Sequence, residues 1–222
     1  MQDLFKIEEL DVDGAIREAA ETVDPGTRGA FLKKAGIGLG AVALGGGVMG
    51  ALARPAFGAT PASDVAILNF ALTLEYLEAE FYTQAVASGV LRGELAEFSR
   101  VVKSHEVQHV NFLKSALGSA AVKKPKFDFK GTTSDSKKFA TTAQVLESTG
   151  VAAYLGQVGN IKTKSILAAA GSILTVEARH TGWIAQINNG SGDNSPAPDT
   201  FDKPKTKAQI LAAVKATGFI VG

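Results

Sequence analysis

The chain has 222 residues, 45% of them hydrophobic, and a formal net charge of +1. That length suits one compact domain of about 150 residues plus extensions, and the near-neutral balance leaves no basic footprint for nucleic acid. Cysteine is absent, which excludes thiolate metal sites, disulfide staples and cysteine nucleophiles.

Residues 1–59 read as an extension to the domain. Residues 4–22 pattern as a short acidic amphipathic helix. The basic flank Thr27-Arg28-Gly29-Ala30-Phe31-Leu32-Lys33-Lys34 follows, then an uncharged, glycine-rich run over 35–53. Basic flank, apolar stretch and small residues after it are the parts of an export signal. Ala51-Leu52-Ala53 and Ala56-Phe57-Gly58 both place small residues where a signal peptidase cuts. The segment resembles a twin-arginine signal, with Gly29 standing where the second arginine belongs. The run is barely long enough to span a bilayer, and its glycines make it a poor helix and a poor anchor. The expectation is export to the periplasm, envelope or exterior, with membrane contact only through this signal.

From position 60 to 190 the pattern predicts an all-α fold of four helices. The first covers 63–87, capped by Ser63 or Asp64 and stopped near Gly89. It is apolar nearly all round, as in a helix with several buried neighbours. The second covers 93–117 and stops at Gly118, the third covers 137–158, and the fourth covers 162–188. Short connections make one–two and three–four antiparallel neighbours. The long link between helices two and three, with Pro125 and Phe127-Asp128-Phe129, permits a crossover. The tail at 191–222 is polar, with a short helix expected over 206–217 on the outside.

Two copies of Glu-x-x-His interrupt the apolar stripes: Glu106 with His109, and Glu177 with His180. Residues i and i+3 share a helical face, so each pair presents a carboxylate beside an imidazole. Glu75 precedes Glu106 by 31 residues and Glu147 precedes Glu177 by 30; Tyr82 and Tyr154 each follow their glutamate by seven. The chain thus contains an internal repeat. Between Ser136 and Gly192 the only acidic residues are Glu147 and Glu177, both on apolar faces. A four-helix bundle that holds two metals needs one Glu from each of two helices and a Glu-x-x-His from each of the others. The metal ligands expected are therefore Glu75, Glu106, His109, Glu147, Glu177 and His180, with Glu78 as an alternative to Glu75. Four carboxylates and two neutral imidazoles balance two divalent cations, and oxygen and nitrogen donors without sulfur suit iron or manganese. Tyr82 and Tyr154 read either as core packing or as donors and redox partners beside the metals. His105 reads as a surface histidine or a neighbour of the ligands, and Trp183 as core. A single Glu-x-x-His on a helix is usually a surface pair; the duplication and the two spaced glutamates argue otherwise.

At LNFALTLEYLEAEFY (68–82), HEVQHVNFL (105–113), FDF (127–129), TAQVLESTGVAAY (142–154) and VEARHTGWI (176–184) the chain resembles the ferritin-like superfamily. More closely, it resembles the exported ferritin-like domain family that includes desiccation-related proteins. The resemblance covers about 64–188. It implies a ferritin-like four-helix bundle with a long crossover, a short C-terminal helix and a di-iron or di-manganese centre. Two functions follow from it. One is a di-metal oxidoreductase, catalase- or ferroxidase-like, acting on peroxide or O₂ in stress protection. The other is an envelope structural or desiccation-protective protein whose metal is structural or vestigial. The partners implied are metal ions, a small oxidant and, for such bundles, a second copy of the chain.

Overall fold

The computed structural model describes residues 60–188 and 195–221. The expected acidic helix, export signal and cleavage points lie outside them. Five helices follow in order: α1 Ala62–Ser88, α2 Gly93–Leu117, α3 Ser136–Val158, α4 Lys164–Ile187 and α5 Lys207–Thr217. Among the described residues there is no strand, only an isolated antiparallel bridge between Phe127 and Ile220. None of the described helices is long and apolar enough to cross a membrane.

Helix ends follow local chemistry. α1 stops at Gly89, whose φ of 65° is the left-handed conformation that glycine adopts at no steric cost. Asp135 caps α3 by accepting from the Lys138 amide at 2.9 Å. Thr206 and Gln209 form a reciprocal capping box on α5. The start of α1 departs from expectation. Pro61 occupies the cap position and no side chain caps the helix. Asp64 instead lies buried and accepts the Lys162 and Thr163 amides at 3.1 and 2.8 Å, fastening the α3–α4 loop to the first turn of α1.

Topology follows from which side chains meet. α1 packs mainly on α2, and α3 on α4; each pair is a hairpin with a short loop. The Tyr82 hydroxyl meets Glu147 and the Tyr154 hydroxyl meets Glu75. Seven residues rise about 10 Å along a helix, so both bonds form only if α1 and α3 run antiparallel. α2 and α3 then run parallel. The link over 118–135 must return along the whole bundle, which is the crossover expected of this fold class.

That link is pinned along its course. Asn69 donates to the Ala120 carbonyl at 2.9 Å and accepts the Val122 amide at 2.8 Å. Further on, Phe129 enters the core edge-on to Phe81, and Phe127 stacks on Phe129. The C-terminal segment pairs with the same stretch through Asp128 N to Phe219 O and Val221 N to Lys126 O, both 2.9 Å.

The apolar core has two parts. One centres on Leu77, Phe81, Tyr82, Phe98 and Phe139; the other on Leu72, Leu113, Tyr154, Ile166 and Ile173. α5 belongs to the first part. Its Ile210 and Val214 are buried, so it is more than the external decoration expected. The tail reaches it by crossing α3 at Gly156, where the Lys205 amide donates to the Ala152 carbonyl at 3.0 Å. A Cβ on Gly156 would sit 2.0 Å from the Lys205 carbonyl oxygen, so only glycine admits this backbone approach. Gly156→Ala is therefore expected to cost about 1–3 kcal/mol by overpacking and to loosen α5. A lower melting temperature, together with new proteolytic cutting over 195–206, is the readout.

Candidate metal centre

Each bundle helix contributes carboxylates to one buried cluster. Glu75 and Glu78 come from α1, Glu106 from α2, Glu147 from α3 and Glu177 from α4; the first is 0% exposed, Glu78 is 3%, and the other three are 0%. His180 is 3% exposed and His109 11%. These side chains sit on helices because they replace apolar residues at core-facing positions, so the helical period carries them inward.

Two sets of residues each bring their ligating atoms within 4.8 Å of one another. One is Glu75, Glu106, His109 and Glu177; the other is Glu106, Glu147, Glu177 and His180. Glu106 and Glu177 belong to both. The sets together are the six residues named from the repeat, and Glu75 rather than Glu78 completes the first.

The imidazoles face the carboxylates through Nδ1. His109 Nδ1 lies 3.2 Å from Glu75 Oε2, Glu106 Oε2 and Glu177 Oε1. His180 Nδ1 lies 3.0 Å from Glu147 Oε2 and 3.2 Å from Glu106 Oε1. The other face of His180 meets His105: Nε2 is 2.8 Å from His105 Nδ1, with the rings stacked at 5.1 Å. Of the two readings of His105, neighbour of a ligand is the one its position fits.

The tyrosines pair across the repeat. Tyr82 of the first half donates to Glu147 Oε1 of the second. Tyr154 of the second half donates to Glu75 Oε1 of the first at 2.5 Å. Burial, and then the carboxylate each one faces, pushes both phenols well above their usual range. Each tyrosine also packs in one of the two apolar clusters, so packing and hydrogen bonding coincide. Trp183 packs edge-on to Phe98 and donates to Glu94 Oε1 at 2.9 Å; it is only partly buried.

Charge in the cluster is balanced by protons when no cation is present. Burial, and then neighbouring carboxylates, pushes Glu78, Glu106 and Glu177 well above the usual carboxyl range. Burial also opposes ionisation of Glu75, but the charge and hydrogen bond of His109 hold it below that range. His109 is raised despite burial, chiefly by Glu75 and then by Glu106 and Glu177. His180 is raised despite burial by its hydrogen bond and charge pairing with Glu147. His105 is lowered, by burial and then by the neighbouring histidines. A protonated His180 donating from Nε2 to a neutral His105 suits these directions.

The donors nevertheless fall short. Glu177 Oε2 is buried without a hydrogen-bond partner, and Glu106 Oε1 and Glu177 Oε1, though 3.2 Å from His180 and His109 Nδ1, form no aligned hydrogen bond. Oxygens in that condition cost about 1–3 kcal/mol each, and a divalent cation would satisfy them. Four glutamates and two neutral imidazoles carry a formal −4, the charge that two divalent cations offset. The residues present therefore fit a pair of metals with oxygen and nitrogen preferences. Two features were not read from the sequence: Glu78 is buried with Glu75 rather than instead of it, and Gly150 lies against the cluster.

The family model for a ferritin-like domain matches residues 63–190, more than half of the chain and all four bundle helices. Comparison with curated protein sequences finds no match.

The raised groups set the pH dependence of the metal-free domain. Glu78, Glu106 and Glu177 take up protons in the folded state that the unfolded chain releases near pH 4.5. The unfolded state then binds fewer protons, so stability falls as pH rises from about 4.5 toward the folded values. The raised histidines act in the same direction above about 6.5. Metal-free protein is expected to melt lower at pH 8 than at pH 5.5. Glu177→Gln should raise the pH 8 value, by about 2–4 °C per kcal/mol relieved, because it removes a charge opposed by burial and by Glu106 whose Oε2 has no hydrogen-bond partner. Calorimetry of both proteins in chelator checks this; equal melting at the two pH values would refute the charge balance described.

Proposed function

The chain belongs to the ferritin-like domain family, and we propose that it is an exported di-metal protein, loaded with iron or manganese, that acts on peroxide or O₂ in stress protection. The observation that carries the reading is the overlap of two ligand sets on Glu106 and Glu177. Those two glutamates would contribute to holding both metals. Glu75 and His109 would complete one metal, and Glu147 and His180 the other. A pair of redox metals held there would supply two one-electron changes at one place, as the two-electron chemistry of peroxide requires.

The chain's own residues would do the rest. Tyr154 and Tyr82 hold Glu75 and Glu147 by their outer oxygens and are proton donors at those atoms. His105 fixes the ring of His180 from behind, as partners of metal-bound histidines do. The apolar clusters on either side exclude bulk water. His109, 11% exposed, is where the cluster comes nearest to solvent.

Export rests on the basic flank at 27–34 and the uncharged run over 35–53. The resemblance of residues 68–82, 105–113, 127–129, 142–154 and 176–184 to exported, desiccation-related ferritin-like proteins supports the same assignment. Amino-terminal sequencing of protein recovered outside the cytoplasm should begin after Ala53 or Gly58; a full-length cytoplasmic product would remove this part of the reading.

Protein expressed in iron- or manganese-replete cells is expected to carry about two metal ions per chain. His109→Ala and His180→Ala should each lower that content. His105→Ala should keep the stoichiometry but weaken affinity roughly tenfold, the scale set by partners of metal ligands. Elemental analysis and metal titration read both quantities. A content near zero after reconstitution would end the di-metal reading, and peroxide consumption by the loaded protein tests its catalytic half.

A further inference from the structure

Glu78 has no part in the six-residue ligand set, yet it is as deeply buried as the residues that do. It lies one turn beyond Glu75 on α1. In the internal repeat, position 78 corresponds to position 150, since each stands three residues after its half's first glutamate. The two positions face one another. A Cβ built on Gly150 would lie 3.4 Å from Glu78 Oε1 and 2.9 Å from Glu177 Oε2. Two carboxylate oxygens from α1 and α4 therefore converge over bare backbone on α3. Gly150 is helical, and glycine there costs about 1 kcal/mol relative to alanine; any side chain would crowd Glu177. Glu177 Oε2, the oxygen nearest Gly150, is fully buried and has no hydrogen-bond partner, while Oε1 faces His109 Nδ1 at 3.2 Å. Beside Glu78 and Gly150 is a cavity of about 10 Å³, otherwise lined by Leu74, Leu77, Leu146, Thr149 and Val214. That is room for about one water-sized group.

We propose that Glu78 is a fifth carboxylate ligand of the centre, sharing a cation with Glu177 in the space that Gly150 leaves open. The inference rests on the di-metal reading above and adds a residue that the paired Glu-x-x-His pattern does not contain. It also changes the charge of the site. Five carboxylates and two neutral imidazoles carry −5, one more than two divalent cations offset. The set then favours a trivalent ion at one of the two positions, so a Glu78 amide should make bound iron harder to oxidise.

Equilibrium titration of the metal-free domain with Mn(II), read by the EPR signal of the free ion, tests the assignment. The wild type should take up two ions. Glu78→Gln keeps the shape and removes the charge, and should weaken one of the two by at least about tenfold. Gly150→Ala fills the space between the oxygens and should weaken the same ion. The midpoint potential of the iron-loaded Glu78→Gln protein should rise. If both variants bind two Mn(II) ions with unchanged affinity, Glu78 only shares a proton with Glu177 and the assignment is wrong. If Glu78→Gln does not fold, Glu78→Asp, which keeps the charge but withdraws the carboxylate from that space, decides in its place: unchanged affinity for both ions overturns the assignment. Failure of the wild type to bind either Mn(II) or Fe(II) would instead overturn the di-metal reading, and this assignment with it.

Discussion

A carboxylate moved from water into an apolar interior costs several kcal/mol unless a cation or a set of donors meets it. In this bundle Glu75, Glu78, Glu106, Glu147 and Glu177 are all buried at its centre, and most other features answer to that fact. His109 and His180 turn their Nδ1 atoms inward and supply positive charge. Tyr82 and Tyr154 supply neutral donors to the two glutamates that belong to one ligand set each. What stays unmet is concentrated on the two shared glutamates, Glu106 and Glu177. The deficit thus lies where a pair of cations would place the most positive charge.

The same constraint explains why the fold is held so firmly at its periphery. A helix bundle with charge at its centre loses part of its core to polar groups, so packing must be completed elsewhere. The aromatic group around Phe81, with Phe129 edge-on, Phe139 stacked and Tyr82 alongside, is one such completion. The crossover and α5 provide another, since Phe127, Phe129, Ile210 and Val214 all pack on that cluster from outside the four helices. Asp64 closes the far end by binding the amides that begin α4.

Much of this was legible in the sequence because helical period is a short-range property. Apolar stripes interrupted by single glutamates located the four helices to within two residues, and the matched spacings brought six residues toward one cluster. Period gives a residue's face but not the partner across it. Spacing thus puts Tyr82 and Tyr154 on the same inward face as their glutamates, and only the packing shows that each bonds the glutamate of the other half. Asp64 read as a local cap because capping is a sequence-neighbour signal; its real partners are about a hundred residues away. Glu75 and Glu78 were weighed against each other, although residues three apart on a helix share a face and both can be buried. His105 lay off the inward row of α2, but α4 packs into that flank and brings His180 to it.

Two positions break the symmetry of the repeat, and both lie against the metal-ligand candidates. His105 precedes Glu106, whereas Val176 precedes Glu177, so only His180 has an imidazole behind it. Glu78 follows Glu75 by three, whereas Gly150 follows Glu147 by three, so a carboxylate in one half faces an absent side chain in the other. A centre built from two equal halves would hold two equivalent metals. With a histidine behind one imidazole only and a glutamate seated over a glycine, the two halves differ in charge and in hydrogen bonding. Inequivalence of that kind allows one metal to bind more tightly than the other and to differ from it in oxidation state, which an exact two-fold repeat cannot provide.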